Sequence, residues 1–212
     1  MTGFRAATSG AVLYEHRNVA EHFEELKRTI GLVPQDDIVP TSLKVERVLG
    51  YAAELRLADI EPGERADRVE HVLRTLGLTE RKHLRVSKLS GGQRKRVSVG
   101  VELLTEPEYL FADEPTSGLD PALERALMET FKSLARQGCT CFVTTHIMTS
   151  LDVLDMVCVL HEGHLAYFGP AEDMKAYFGV EDSIDIYAAL QRGKGSAWHK
   201  RYRASTQAKR FA

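Results

Sequence analysis

Three short apolar runs, each stopping abruptly at polar residues and separated by helix-patterned stretches, constrain this chain most. Ile30-Gly31-Leu32-Val33 ends at Pro34-Gln35, and Tyr109-Leu110-Phe111-Ala112 ends at Asp113-Glu114-Pro115. Cys141-Phe142-Val143-Thr144-Thr145 ends at His146. Such compact runs read as strands that finish at loops, the first one closed by proline. Between them, Val45, Val48, Leu49, Ala52, Ala53 and Leu55 fall on one helical face, and Val69, Val72, Leu73 and Leu76 on another, with Gly77 as a stop. Pro121 opens a helix carrying Leu123, Leu127, Phe131 and Leu134, closed by Gly138. Strands alternating with helices predict an α/β fold with a mostly parallel sheet.

Hydrophobic residues make up 43% of the 212 and charged residues 27%, which excludes a disordered chain and allows a real core. The length suggests one domain, or one with a small extension. Twenty-eight basic against 30 acidic residues, a net charge of −2, argue against a generally basic nucleic-acid footprint. No segment approaches the roughly 18 consecutive apolar residues of a membrane span, and the N-terminus lacks the apolar core of a signal peptide. The chain is therefore expected to be cytoplasmic, reaching a membrane only through a partner. Cys139, Cys141 and Cys158 read as small residues in buried strands of a reducing compartment.

Two motifs carry chemistry. An apolar strand ending in Asp113-Glu114 puts adjacent carboxylates on the face where open α/β sheets bind ligands. One can hold the waters of a Mg²⁺ ion while the other orients and deprotonates an attacking water. Leu89-Ser90-Gly91-Gly92-Gln93 opens a helix, with Ser90 at the N-cap. There the glycines let a phosphate approach the backbone, and a hydroxyl and unpaired N–H groups can donate to it. Taken alone, the first is a common dipeptide and the second reads equally well as an ordinary capped helix.

Their order decides more. Gln35 after one strand, LSGGQ at a helix start, DEPTSGLDP after the next strand and His146 after the third resemble the ATP-binding cassette (ABC) family of transporter nucleotide-binding domains. The resemblance covers the chain to about Gly179. Val33-Pro34-Gln35-Asp36-Asp37, Arg94-Lys95-Arg96-Val97-Ser98 and Tyr167-Phe168-Gly169-Pro170 are similar in style to the G subfamily of exporters. They are also similar to bacterial relatives with a forkhead-associated domain and a permease on one chain. The resemblance implies a P-loop NTPase-like ABC ATPase domain over residues 1–179, with a helical signature subdomain at about 42–104 and a connector or basic tail at 180–212. It implies ATP and Mg²⁺ as cofactors, and as partners a transmembrane permease and a second nucleotide-binding domain in a head-to-tail dimer. Asp113 and Gln35 would touch the metal and Glu114 would be the catalytic base. Gln35 would also sense the permease, and His146 would contact the γ-phosphate. Ser90, Gly91, Gly92 and Gln93 would hold the γ-phosphate bound to the opposite subunit, and Ser117 through Asp120 would cross the dimer interface.

The family's Walker A loop, G-x-x-x-x-G-K-[S/T], is absent from the sequence. That loop supplies a backbone nest for the β-phosphate, a lysine charge and a hydroxyl on Mg²⁺. The resemblance therefore implies a domain incomplete at its N-terminus, with apolar surface and a strand edge uncovered and little or no ATPase activity of its own. Two alternatives stay open: a non-catalytic or degenerate module without nucleotide binding, and a soluble cassette ATPase outside transport. His161-Glu162-Gly163-His164 reads as a surface hairpin rather than a metal site, and Arg94-Lys95-Arg96 as a solvated face. From Arg192 a loose basic tail is expected, with Lys194, Lys200, Arg201, Arg203, Lys209 and Arg210 around Trp198 and Tyr202.

Overall fold

The structure, a computed structural model, describes residues 7–211. The chain divides between Thr145 and His146 into two compact units.

The first unit is built on a parallel sheet. Its strands β3 (Ile30–Val33), β4 (Tyr109–Asp113) and β5 (Thr140–Thr144) lie in that order, with β4 central. Leu32 pairs with Phe111 and Phe111 with Phe142, so one face carries an aromatic row, with the Phe111 and Phe142 rings stacked at 4.7 Å. A small hairpin, β1 (Leu13–Tyr14) and β2 (Arg17–Asn18), lays Tyr14 on this face against Tyr109, centroids 4.5 Å apart. The short helix α1 (Phe23–Leu26) adds Leu26, which is buried with Tyr14, Val19 and Phe111. Among the described residues β5 pairs only with β4, and Cys141, Phe142 and Val143 on it are half-buried. The Cys141 thiol lies 4.0 Å from that of Cys139. Its hydrogen bond to Cys139, and then burial, push its pKa up, while the same bond lowers that of Cys139.

Three helices form a packed layer between β3 and β4 in sequence: α2 (Val45–Arg56), α3 (Pro62–Thr75) and α4 (Gly91–Leu103). Val45, Val48, Leu49 and Ala53 are buried as the helical spacing predicts, whereas Leu55 is 83% exposed, one helical step past the apolar stripe. Gly100 marks how close the layer is. A Cβ there would stand 3.0–3.2 Å from Leu76, Val72 and Leu49. The Arg56 guanidinium grips both carboxylate oxygens of Glu102 at 2.9 and 2.7 Å, and Glu102 also accepts the Leu32 N–H at 3.3 Å. One fork thus ties α2, α4 and β3. After β4, α5 (Pro121–Arg136) starts at an N-cap where Asp120 Oδ1 accepts from the Ala122 and Leu123 N–H groups.

The second unit is a hairpin wrapped by helices: β6 (Met156–His161), β7 (His164–Pro170), α6 (Ala171–Phe178), α7 (Asp185–Leu190), α8 (Gly195–Arg203) and α9 (Thr206–Phe211). Glu162 and Gly163 both take positive φ, 47° and 74°, in a tight turn. Burial pushes the Tyr167 hydroxyl's pKa up to about 12, and that hydroxyl donates to the Pro170 carbonyl at 2.7 Å.

The segment expected as a loose tail is folded. Trp198 and Tyr202 are buried on the inner side of α8, and Trp198 Nε1 donates to the Leu190 carbonyl at 3.1 Å. The Glu162 carboxylate accepts the Gly195 N–H at 2.8 Å, so the β6–β7 turn caps α8. Only glycine fits there, since a Cβ on Gly195 would meet the His161 carbonyl oxygen at 2.3 Å. The basic residues mark only the outer face of an amphipathic helix, and an apolar signal of about one residue per turn is weak in a nine-residue element.

Candidate functional site

The parallel register brings the ends of β3, β4 and β5 together. Asp113 is the last residue of β4 and is exposed. Glu114 follows at φ 40°, a left-handed conformation unusual for a non-glycine residue and of the kind that clusters at functional sites. The Thr144 hydroxyl, at the end of β5, donates to Asp113 Oδ1 at 2.6 Å and accepts the Glu114 N–H at 3.0 Å. One oxygen therefore positions both carboxylate residues. From the loop after β3, Gln35 Nε2 donates to Glu114 Oε2 at 3.4 Å. Gln35, Asp113 and Glu114, singled out in the sequence, stand at one strand-end cluster. Thr144 was missed, and its signal was its place at the end of a strand adjacent to the carboxylate strand.

The loop bearing Gln35 is held from behind. Lys95 Nζ donates to the Gln35 carbonyl at 2.6 Å and the Pro34 carbonyl at 3.3 Å, and it pairs with Asp37 Oδ1 at 2.9 Å. Ser98 Oγ donates to the same Asp37 oxygen at 3.1 Å. Lys95 is only 5% exposed, so its reading as part of a solvated face is corrected. Helix periodicity explains why: α4 turns Lys95 and Ser98 toward β3 and the Gln35 loop while Arg94 lies at the margin. The start of α4 has a closed capping box. Ser90 Oγ accepts the Gln93 N–H at 3.3 Å, and Gln93 Oε1 accepts the Ser90 N–H at 3.1 Å. Gly91 and Gly92 approach Leu119 and Leu123, at 3.5 Å for a Cβ built on either, so bulk there would press on the start of α5.

Ser117 and Gly118 sit in the exposed turn between β4 and α5, and Asp120 is engaged as the α5 cap. His146 is an exposed residue of the second unit, where its backbone carbonyl accepts the Tyr187 hydroxyl at 2.6 Å. Among the described residues no group of three or more His, Cys, Asp and Glu side chains could enclose a metal ion. An exposed strand-end carboxylate beside a glutamine amide instead fits a hard divalent cation that keeps waters and shares the oxygens of a phosphate substrate.

The model of the family described as ABC transporter matches residues 1–117. The chain belongs to the ABC transporter family. It is 43% identical over 97% of its length to an ABC transporter ATP-binding/permease protein of Mycobacterium tuberculosis, covering 24% of that relative. It is 35% identical over 89% of its length to the broad substrate specificity ATP-binding cassette transporter ABCG2 of Bos taurus, covering 31%. ABC transporter G family member 21 of Arabidopsis thaliana is 39% identical over 81% of the chain, which covers 26% of it. The chain thus spans about a quarter to a third of the length of these relatives. Among solved structures, cbiO1 from Clostridium perfringens, part of the ABC transporter complex cbiONQ, superposes with a TM-score of 0.77 at 26% identity. That match covers 90% of this chain and 76% of that one. The expected α/β fold of an ABC ATPase domain and the likeness to G-type relatives are both borne out. No helix among the described residues is long and apolar enough to cross a membrane.

Proposed function

We propose that this chain is the ATP-handling part of an ABC-type exporter, taking MgATP as substrate beside a transmembrane permease and a second nucleotide-binding domain. The observation that carries this reading is the convergence of Gln35, Asp113 and Glu114 at neighbouring strand ends, with Thr144 bridging the two carboxylate residues. Glu114 accepts the proton of the attacking water, and the Gln35 amide orients that carboxylate. Asp113 and Gln35 would hold Mg²⁺, whose charge offsets that of the phosphate oxygens when it is bound. Ser90, whose oxygen accepts within the capping box, keeps its own proton for a phosphate oxygen of the opposite domain, with Gly91, Gly92 and Gln93 beside it. Ser117 and Asp120 face that partner, and His146 touches the terminal phosphate. Lys95 fixes the loop through which Gln35 senses the permease, and residues 180–212 lead toward that permease at the cytoplasmic face of the membrane. The likeness to G-family relatives and to an ATP-binding/permease protein supports transport over a soluble role.

No G-x-x-x-x-G-K-[S/T] occurs in the sequence, so the chain alone lacks the nest and lysine that cradle a β-phosphate and turns ATP over weakly or not at all. The same observation favours a second reading, a binding module without catalysis. The two separate in a graft. A strand–G-x-x-x-x-G-K-[S/T]–helix segment of the family is joined ahead of Ser9, and ATP turnover is compared with that of the ungrafted chain. Turnover that appears on grafting and is lost in Glu114→Gln supports the catalytic reading. A folded graft that binds MgATP without hydrolysing it favours the module.

A further inference from the structure

After Asp185 the sequence contains no Asp or Glu, while seven Lys or Arg residues follow from Arg192 onward. Because α8 and α9 are folded helices and not a tail, these cations are displayed on a surface. Trp198, Tyr202 and Ala208 turn inward, and Lys200, Arg201, Arg203, Lys209 and Arg210 turn outward. Among the described residues none of the seven has a carboxylate within 4.0 Å, in contrast to Arg56, Arg68, Lys82 and Lys95 of the first unit. Beside this face lies an open cavity of about 330 Å³, lined by Phe178, Ala189, Trp198, Arg192 and Arg201 among others. Arg201 is set in place, its guanidinium 4.9 Å from the Tyr177 ring centroid and 5.0 Å from that of Trp198.

We propose that this cavity and the cationic face of α8 and α9 bind the phosphate headgroups of anionic phospholipid. The chemistry separates this occupant from other polyanions. Single-stranded nucleic acid is held by bases stacked on open aromatic rings, whereas Trp198 is 8% exposed and already faces Arg201. An apolar, aromatic cavity wall carrying two guanidinium groups suits an amphiphile, whose phosphate meets arginine where its glycerol and upper chain meet apolar surface. Ile184 and Tyr187 add exposed apolar surface in the same unit, 63% and 44% exposed. The cavity and these cations all belong to the second unit, so they can act whether or not the strand-end cluster hydrolyses ATP.

The test is flotation of the 212-residue chain with vesicles of phosphatidylcholine, with and without about one third phosphatidylserine. The chain should float only with the anionic vesicles and be released by raised salt. Arg192→Gln with Arg201→Gln should weaken binding by about fivefold per cation removed. Arg201→Lys should keep most of it. Because Arg201 is also a packing residue, Lys200→Gln with Arg203→Gln on the outer face of α8 provides a second loss of the same kind. Lys88→Gln with Arg136→Gln, exposed cations of the first unit, should change nothing. Equal flotation with neutral vesicles, no flotation with anionic ones, or an equal loss in the Lys88/Arg136 control would each overturn the proposal. So would glycerophosphate binding as tight as vesicle binding, which assigns the cavity to a soluble phosphate ester. Tight binding of polyglutamate with vesicles ignored assigns it to an acidic protein and overturns it as well.

Discussion

The Gln35 loop and the strand-end cluster share a residue yet are built in opposite ways. Behind the loop, Lys95 is buried, meets two carbonyls and one carboxylate, and has every proton spent. In front, Asp113 is exposed and receives one hydroxyl bond, and Glu114 receives a long amide bond of 3.4 Å. The buried side is saturated and should be rigid, because a charge removed from water demands full pairing. On the open side the exposed Asp113 carboxylate keeps room for further partners, which the proposed role of its oxygens at a cation requires. One loop thus joins a fixed backbone to an exposed strand end.

Substitutions on the two sides should separate them. Lys95→Ala leaves Asp37 with only the more distant Arg94, at 4.0 Å, and two carbonyls without their lysine donor. It should lower stability by about 3 kcal/mol in urea unfolding, and a loss below about 1 kcal/mol would show the junction to be no stronger than a surface pair. Combining Lys95→Met with Asp37→Asn should recover much of that loss if the penalty comes from a stranded charge. Asp120→Ala removes a side-chain acceptor from two N–H groups of α5 and should cost about 1 kcal/mol. Ser90→Ala opens the capping box of α4 and belongs at the same level, about 1 kcal/mol, read by the same unfolding curves. Thr144→Val should cost least in stability, under about 1 kcal/mol, because water can replace the hydroxyl at an exposed strand end. In the loop-grafted chain, however, Thr144→Val should lower turnover by about tenfold or more, because one hydroxyl positions both carboxylate residues. A grafted Thr144→Val protein with undiminished turnover would mean that the bridge is only structural.

Much of this molecule is legible in its sequence, where one period dominates. The three parallel strands were visible because each is an apolar run cut short by a polar residue, and α5 because proline, apolar spacing and glycine agree along sixteen residues. Gln35, Asp113 and Glu114 were found from motif order. Thr144 and Lys95 were not, and for different reasons. Thr144 acts through register across to β4, which a single strand's pattern does not contain. Lys95 sits between two other basic residues, so composition says surface while the helical phase says interior, and only the position of the Gln35 loop decides between them. In the second unit the β6–β7 hairpin was readable from its Glu-Gly turn, but the helices after Arg192 were not. Their stability comes from Glu162 and Leu190, contacts that lie outside the segment itself.

The way the two units close their chains also sets when each can form during folding. The Gln35–Glu114 contact spans 79 residues, and the sheet beneath it has to wait for the whole of α2, α3 and α4 to pass before β3 meets β4. The Glu162–Gly195 cap spans 33, and the hairpin it springs from closes on a two-residue turn. Loop-closure entropy is paid in smaller steps by the second unit. On a chain refolding from denaturant, its hairpin and helices can assemble as a local unit, whereas the strand-end cluster needs the long-range pairing of β3 with β4. During synthesis the order is set instead by the first unit leaving the ribosome before the second.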